Sequence, residues 1–91
     1  MGRSNGRVGA ADVVRRAKEQ IEDLNGRPVE GVLGLERQDD GWVVMLEVLE
    51  LRRVPNSTDV LGSYEVTLDE SGELEQYRRT RRYHRSQVEE G

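Results

Sequence analysis

The sequence predicts an α+β domain, with one N-terminal helix packed on a four-stranded antiparallel meander. Three observations predict it. Apolar residues recur with a helical period over about residues 10–25. From Val29 the period changes to two. Short turn signals, Asp40-Gly41 and Glu70-Ser71-Gly72, then separate pairs of apolar runs. One helix followed by consecutive strands, without alternation, gives a two-layer arrangement of helix on sheet.

The helix rests on Ala10, Val13, Val14, Ala17, Ile21 and Leu24, which follow the i, i+3, i+4, i+7 rhythm of a single stripe. Asn25-Gly26 supplies a left-handed stop and Pro28 forbids continuation. Arg15, Arg16, Lys18, Glu19 and Glu22 lie mostly off the stripe and read as solvated. A first strand follows, in which Val29, Leu33 and Leu35 alternate with Glu30, Gly34 and Glu36. Asp40-Gly41 reads as a two-residue hairpin turn, because both residues tolerate positive φ. That turn would set Leu35 opposite Leu46 and Leu33 opposite Val48.

The second strand, Trp42 to about Arg53, is the longest and most apolar. Residues 54–59, Val-Pro-Asn-Ser-Thr-Asp, break it. Tyr64, Val66 and Leu68 alternate with Ser63, Glu65, Thr67 and Asp69 in a third strand. The three-residue loop after it, with Gly72 in the left-handed position, sets Leu68 opposite Leu74 and Glu65 opposite Tyr77. A fourth strand runs from about Glu73 to Tyr83. Residues 1–9 read as a disordered leader, 10–85 as one domain and 86–91 as a flexible tail.

Composition narrows the function. Leu, Ile and Val total 22 of 91 residues, with no Phe, so the core is small. No run approaches the ~18 apolar residues of a membrane span. No signal peptide is evident and there is no cysteine, so a reducing, cytoplasmic setting is expected and a disulfide framework is excluded. One His and no Cys argue against zinc. No Gly-rich phosphate loop precedes a helix. Glu47 and Glu50 are three apart on a strand, point to opposite faces and cannot act as an acid–base pair. Neither a catalytic residue nor a cofactor is expected.

The charge is uneven. Residues 36–75 carry three Arg and eleven Asp or Glu, whereas residues 76–85 carry five Arg and no acid. Arg78, Arg79, Arg81, Arg82 and Arg85, with Tyr77 and Tyr83, have the look of a nucleic-acid patch. A strand divides them between two faces, and the acidic remainder repels phosphate. Pairing with acids on the neighbouring strand and binding a protein partner are both better expectations than nucleic acid. A small nucleic-acid-associated regulator using this strand is the alternative function.

On the second strand the even positions are Trp42, Val44, Leu46 and Val48, and the odd positions are Val43, Met45, Leu49 and Leu51, interrupted by Glu47. One short helix covers one face, so the odd face is expected to be partly bare and available to a homodimer or another protein. The candidate partner-binding set is therefore Val43, Met45, Leu49 and Leu51 for affinity, with Arg78, Arg79, Arg82, Tyr83 and Arg85 for selectivity. Trp42 is expected to pack at the end of the sheet.

The ordered residues Gly41-Trp42, Glu47-Val48, Glu50-Leu51, Arg53, Pro55, Asp59-Val60-Leu61, Tyr64-Glu65-Val66, Leu68-Asp69, Gly72-Glu73-Leu74, Tyr77, Arg79, Arg82-Tyr83 and Arg85 resemble the gas vesicle protein O family. The likeness covers about residues 10–85 and is dense from Gly41 to Arg85. It implies a non-enzymatic accessory protein needed to form gas vesicles, the gas-filled protein shells used for buoyancy. It also implies other gas vesicle accessory or shell proteins as partners, and association with the vesicle itself.

Overall fold

The computed structural model describes residues 9–88. The leader before Gly9 and the end of the tail, expected to be unstructured, lie outside the described residues. Helix α1 spans Ala10–Asn25. It begins with Gly9 as N-cap, whose carbonyl accepts from the Val13 N–H, and ends at Gly26 with φ 73°. Four strands follow: β1 (Val29–Gln38), β2 (Gly41–Leu51), β3 (Val60–Asp69) and β4 (Leu74–His84). They form one antiparallel sheet in the order β1-β2-β3-β4, the expected meander. A 3-10 turn lies at Asn56–Thr58, and Arg85–Val88 forms a short helix, α2.

The core lies between α1 and the even face of β2. Val13, Ala17 and Ile21 meet Trp42, Val44, Leu46 and Val48 of β2 and Tyr64, Val66 and Leu68 of β3. All are buried, so the helix period of 3.6 and the strand period of 2 interlock here as the sequence predicts. Leu24 departs from the expectation. It continues the helical stripe in sequence but is 59% exposed, because the stripe outruns the sheet at the last turn of α1. Helix and sheet are tied at their edges by polar contacts. Gln20 donates to the Gly72 carbonyl at 2.8 Å and accepts from the Leu74 N–H at 2.9 Å. Glu22 accepts from the Val29 N–H at 2.8 Å.

The first hairpin corrects the predicted register. Asp39 and Asp40 form the turn, and Gln38 pairs with Gly41. Neither Asp takes positive φ. Leu35 therefore faces Val44 rather than Leu46, and Val48 faces Val29 rather than Leu33. Gly41 has a different reason to be glycine. A Cβ there would lie 2.1 Å from the Leu68 carbonyl oxygen on β3. What read as a turn residue is a point of close backbone approach inside the sheet.

β1 also carries two register irregularities, one between Val29 and Gly31 and one between Val32 and Gly34, which leave Glu30 and Leu33 as extra residues. The β3–β4 hairpin starts as predicted, with Leu68 opposite Leu74 and Gly72 at φ 91°. Asp69 closes its loop, its Oδ1 accepting from the Ser71 and Glu73 N–H groups at 2.9 and 3.0 Å. An irregularity then shifts the register by one, so Glu65 faces Arg78 instead of Tyr77.

Candidate functional site

The strand pairs decide which face each candidate residue shares. Val43, Met45, Glu47 and Leu49 pair with Thr67, Glu65, Ser63 and Leu61 on the face opposite α1. Gln76, Arg78, Arg81 and Tyr83 extend that face onto β4. At one end it is closed by the chain itself. Leu49 (4% exposed), Leu61 and Tyr83 form a small second cluster. The Tyr83 hydroxyl donates to Glu47 at 2.8 Å, and the Arg81 guanidinium lies 4.9 Å from the ring centroid. Burial, followed by the Glu47 hydrogen bond, pushes the Tyr83 phenol up to about 12. Leu49→Asp would thus strike folding rather than docking.

At the other end Val43 and Met45 remain half-buried. On β1, Glu36 lies beside Val43, while Gly34 beside Met45 and Gly31 beside Glu47 supply no side chain to cover that flank. Leu51 follows an irregularity after Leu49, pairs with Val60 and is 43% exposed. Apolar exposure that the sequence pattern did not forecast lies on edge strand β1. Val32, Leu33 and Leu35 are 44%, 53% and 39% exposed. Val32 and Leu35 pair with Leu46 and Val44, so they share the α1 side of the sheet. The two glycines interrupting the alternation of this strand were the available signal.

The arginines do not form one stripe. Arg78 joins Glu65 through Nε at 2.9 Å on the face opposite α1. Arg79 and Arg82 pair with Tyr64 and Gly62 on the α1 side and meet at Glu50. That carboxylate is 3% exposed. It accepts from the Tyr64 hydroxyl at 2.6 Å and from Arg79 Nη1 at 3.0 Å, with Arg82 Nε at 3.5 Å. A Cβ on residue 62 would sit 2.3 Å from Glu50 Oε2, so Gly62 makes the room for this carboxylate. Its partners make Glu50 a structural anchor for two arginines.

Arg85 is committed internally. It joins Asp59 Oδ2 through Nη2 at 2.8 Å and Glu30 through Nη1 at 3.0 Å. Its N–H also donates to the Asp59 carbonyl at 2.9 Å. The Arg53 backbone N–H donates to Asp59 Oδ1 at 2.7 Å. That backbone donor, followed by the Arg85 guanidinium, holds the Asp59 carboxyl below its ordinary value of 3.8. The unfolded chain titrates near the ordinary value. The stability Asp59 confers is therefore complete above that pH and disappears as pH falls through the lower folded value. Asp59→Asn is expected to flatten the acid limb of stability measured by urea unfolding at descending pH. An acid limb unchanged from the parent would assign acid lability to other carboxylates.

Among the described residues no group of three or more His, Asp or Glu is placed to hold a metal. No helix among them is long and apolar enough to cross a membrane. The chain is thus a small α+β domain whose distinctive surfaces are an exposed apolar edge and arginines anchored by buried acids. It belongs to the gas vesicle synthesis protein GvpO family, whose model matches residues 1–89. It is similar to gas vesicle protein O of a Streptomyces species (strain CB03234), with 52% identity over 73 residues, 80% of this chain and 57% of the relative. It is also similar to gas vesicle protein O1 of Halobacterium salinarum, 39% identical over 75 residues, 82% of this chain and 63% of the relative. Gas vesicle protein O of Haloferax mediterranei is 34% identical over 84 residues, 91% of this chain and 60% of the relative. The chain thus spans about three fifths of the length of these curated relatives. No solved structure matches it.

Proposed function

We propose that this protein is a non-enzymatic accessory factor in gas vesicle formation, acting in the cytoplasm by binding other accessory proteins or shell subunits. Family membership supports the setting. The observation that carries the mode of action is the apolar exposure of a highly charged domain. Val32, Leu33 and Leu35 are uncovered on β1, and Val43 and Met45 are half-covered on the face opposite α1. A shell protein is apolar and liable to aggregate before assembly, and an apolar β1–β2 margin exposed on both faces of the sheet, with a charged rim, suits reversible capture of such a surface. The rim sets orientation and association rate more than affinity. A second copy of the chain is the alternative occupant of this margin.

The test is coelution and affinity measurement of the chain against each protein of the vesicle gene cluster. Leu35→Lys and Met45→Lys serve as variants, since both alter side chains outside the main core. At least one partner is expected to bind, and each variant to weaken it about tenfold, the effect of losing about 1.4 kcal/mol of apolar contact. Binding of none, or equal binding by both variants, refutes this mode of action.

A further inference from the structure

At the end of the sheet where β3 begins and β4 finishes, a cleft of about 410 Å³ opens to solvent. It is lined by Arg53, Val60, Arg82, Tyr83 and His84. Its apolar walls are buried residues, Val60 at 6% and Tyr83 at 8% exposure. Its cationic walls come from two elements, Arg53 in the segment after β2 and Arg82 on β4.

The bonds already made around the cleft leave these arginines with donors to offer. Two carboxylates beside them, Asp59 and Glu50, are already engaged. Asp59 is held by the Arg53 backbone N–H and the Arg85 guanidinium. Glu50 is held by the Tyr64 hydroxyl and Arg79. Among the described residues, Arg82 reaches Glu50 only through Nε, leaving its terminal nitrogens uncommitted. The Arg53 guanidinium makes no ion pair among them. Two planar forks with free donors thus flank an apolar wall, and one is tethered from below by a buried acid. Such a fork matches a carboxylate bidentately, and the tether reduces the ordering cost of binding.

We infer that this cleft binds an acidic peptide segment of a partner protein, with a carboxylate between Arg53 and Arg82 and a neighbouring apolar side chain against Val60. The site stands on its own geometry, whichever protein occupies the apolar margin. Nucleic acid is the poorer fit. The chain carries a net charge of −4, and Arg78 and Arg81 lie on the face opposite Arg79 and Arg82. A phosphate backbone would leave the cleft without a continuous basic track to follow.

Fluorescence anisotropy of the full chain tests this with three labelled probes: a short peptide alternating Glu and Leu, its Gln and Leu counterpart, and oligothymidylate. Backbone amide shifts locate the site. The acidic peptide is expected to bind at least about tenfold more tightly than the neutral one, in keeping with charge-assisted pairing. Binding should shift the amides of Val60, Arg82, Tyr83 and His84. It should weaken as salt rises from about 50 to about 300 mM. Arg53→Gln, which alters an exposed side chain that makes no ion pair among the described residues, and Arg82→Gln should each weaken it about fivefold or more. Several results overturn the inference. These are equal binding of the two peptides, no binding of either, shifts confined to other residues, parental affinity in Arg53→Gln, or tighter binding of oligothymidylate than of the acidic peptide.

Discussion

Gly41→Ala is expected to destabilise the fold by about 3 kcal/mol, at the upper end of the usual range for overpacking. The reason is the neighbour. The new Cβ would lie 2.1 Å from the Leu68 carbonyl oxygen and 3.2 Å from the Asp69 Cα, both main-chain atoms that no side-chain rotation can withdraw. Relief requires β2 and β3 to part where Trp42 and Leu68, both core residues, face each other. For a domain of this size the midpoint of thermal unfolding should fall by more than about 10 °C. Asp40→Ala, in the turn itself, should change stability by less than about 0.5 kcal/mol, since Asp40 is exposed and has no positive φ to maintain. Melting curves of the two variants followed by circular dichroism decide the matter. Equal melting temperatures would return Gly41 to the role of a turn residue.

The second large effect concerns the Glu50 cluster and should be asymmetric. In Arg79→Ala/Arg82→Ala the carboxylate, 3% exposed, keeps only the Tyr64 hydroxyl. An uncompensated buried charge costs about 3–5 kcal/mol. The two arginines are 45% and 56% exposed, so solvent already screens part of their attraction, and about 2–3 kcal/mol is the expected loss. Glu50→Gln is milder. Its amide oxygen still accepts from Tyr64, while both guanidinium groups can turn to water, so about 1 kcal/mol is expected. Urea unfolding of the two variants gives the order directly. If Glu50→Gln proves the more damaging, the arginines are not what makes this buried acid tolerable.

The architecture was legible in the sequence because it rests on periodicity and turn chemistry. The stripe through Val13, Ala17 and Ile21, the alternation in β2 and β3, and the left-handed glycines Gly26 and Gly72 specify the elements and their order locally. Register was less legible. The irregularities at Glu30 and Leu33 on β1 and at Glu75 and Thr80 on β4 depend on how neighbouring strands twist past one another, and a single-strand pattern does not contain that information. The turn at Asp39-Asp40 moved Leu35 to Val44, the irregularity at Leu33 left that residue without a partner, and the one at Glu75 set Arg78 rather than Tyr77 against Glu65.

The candidate site was legible in its residue types more than in its grouping. Val43 and Met45 share the face opposite α1 as alternation requires, but Tyr83 comes across to close over Leu49. Arg79, Arg82 and Glu50 come from strands β2 and β4, with β3 between them. Only the pairing of three strands and the missing side chain of Gly62 bring them together.

The irregular margin of β1 has one further consequence. An even, greasy border strand is a template on which copy after copy of a protein can zip into fibrils. Here the two extra residues at Glu30 and Leu33 break the cadence of outward amides and carbonyls. The rim can stay sticky toward side chains while denying a growing ribbon its next rung.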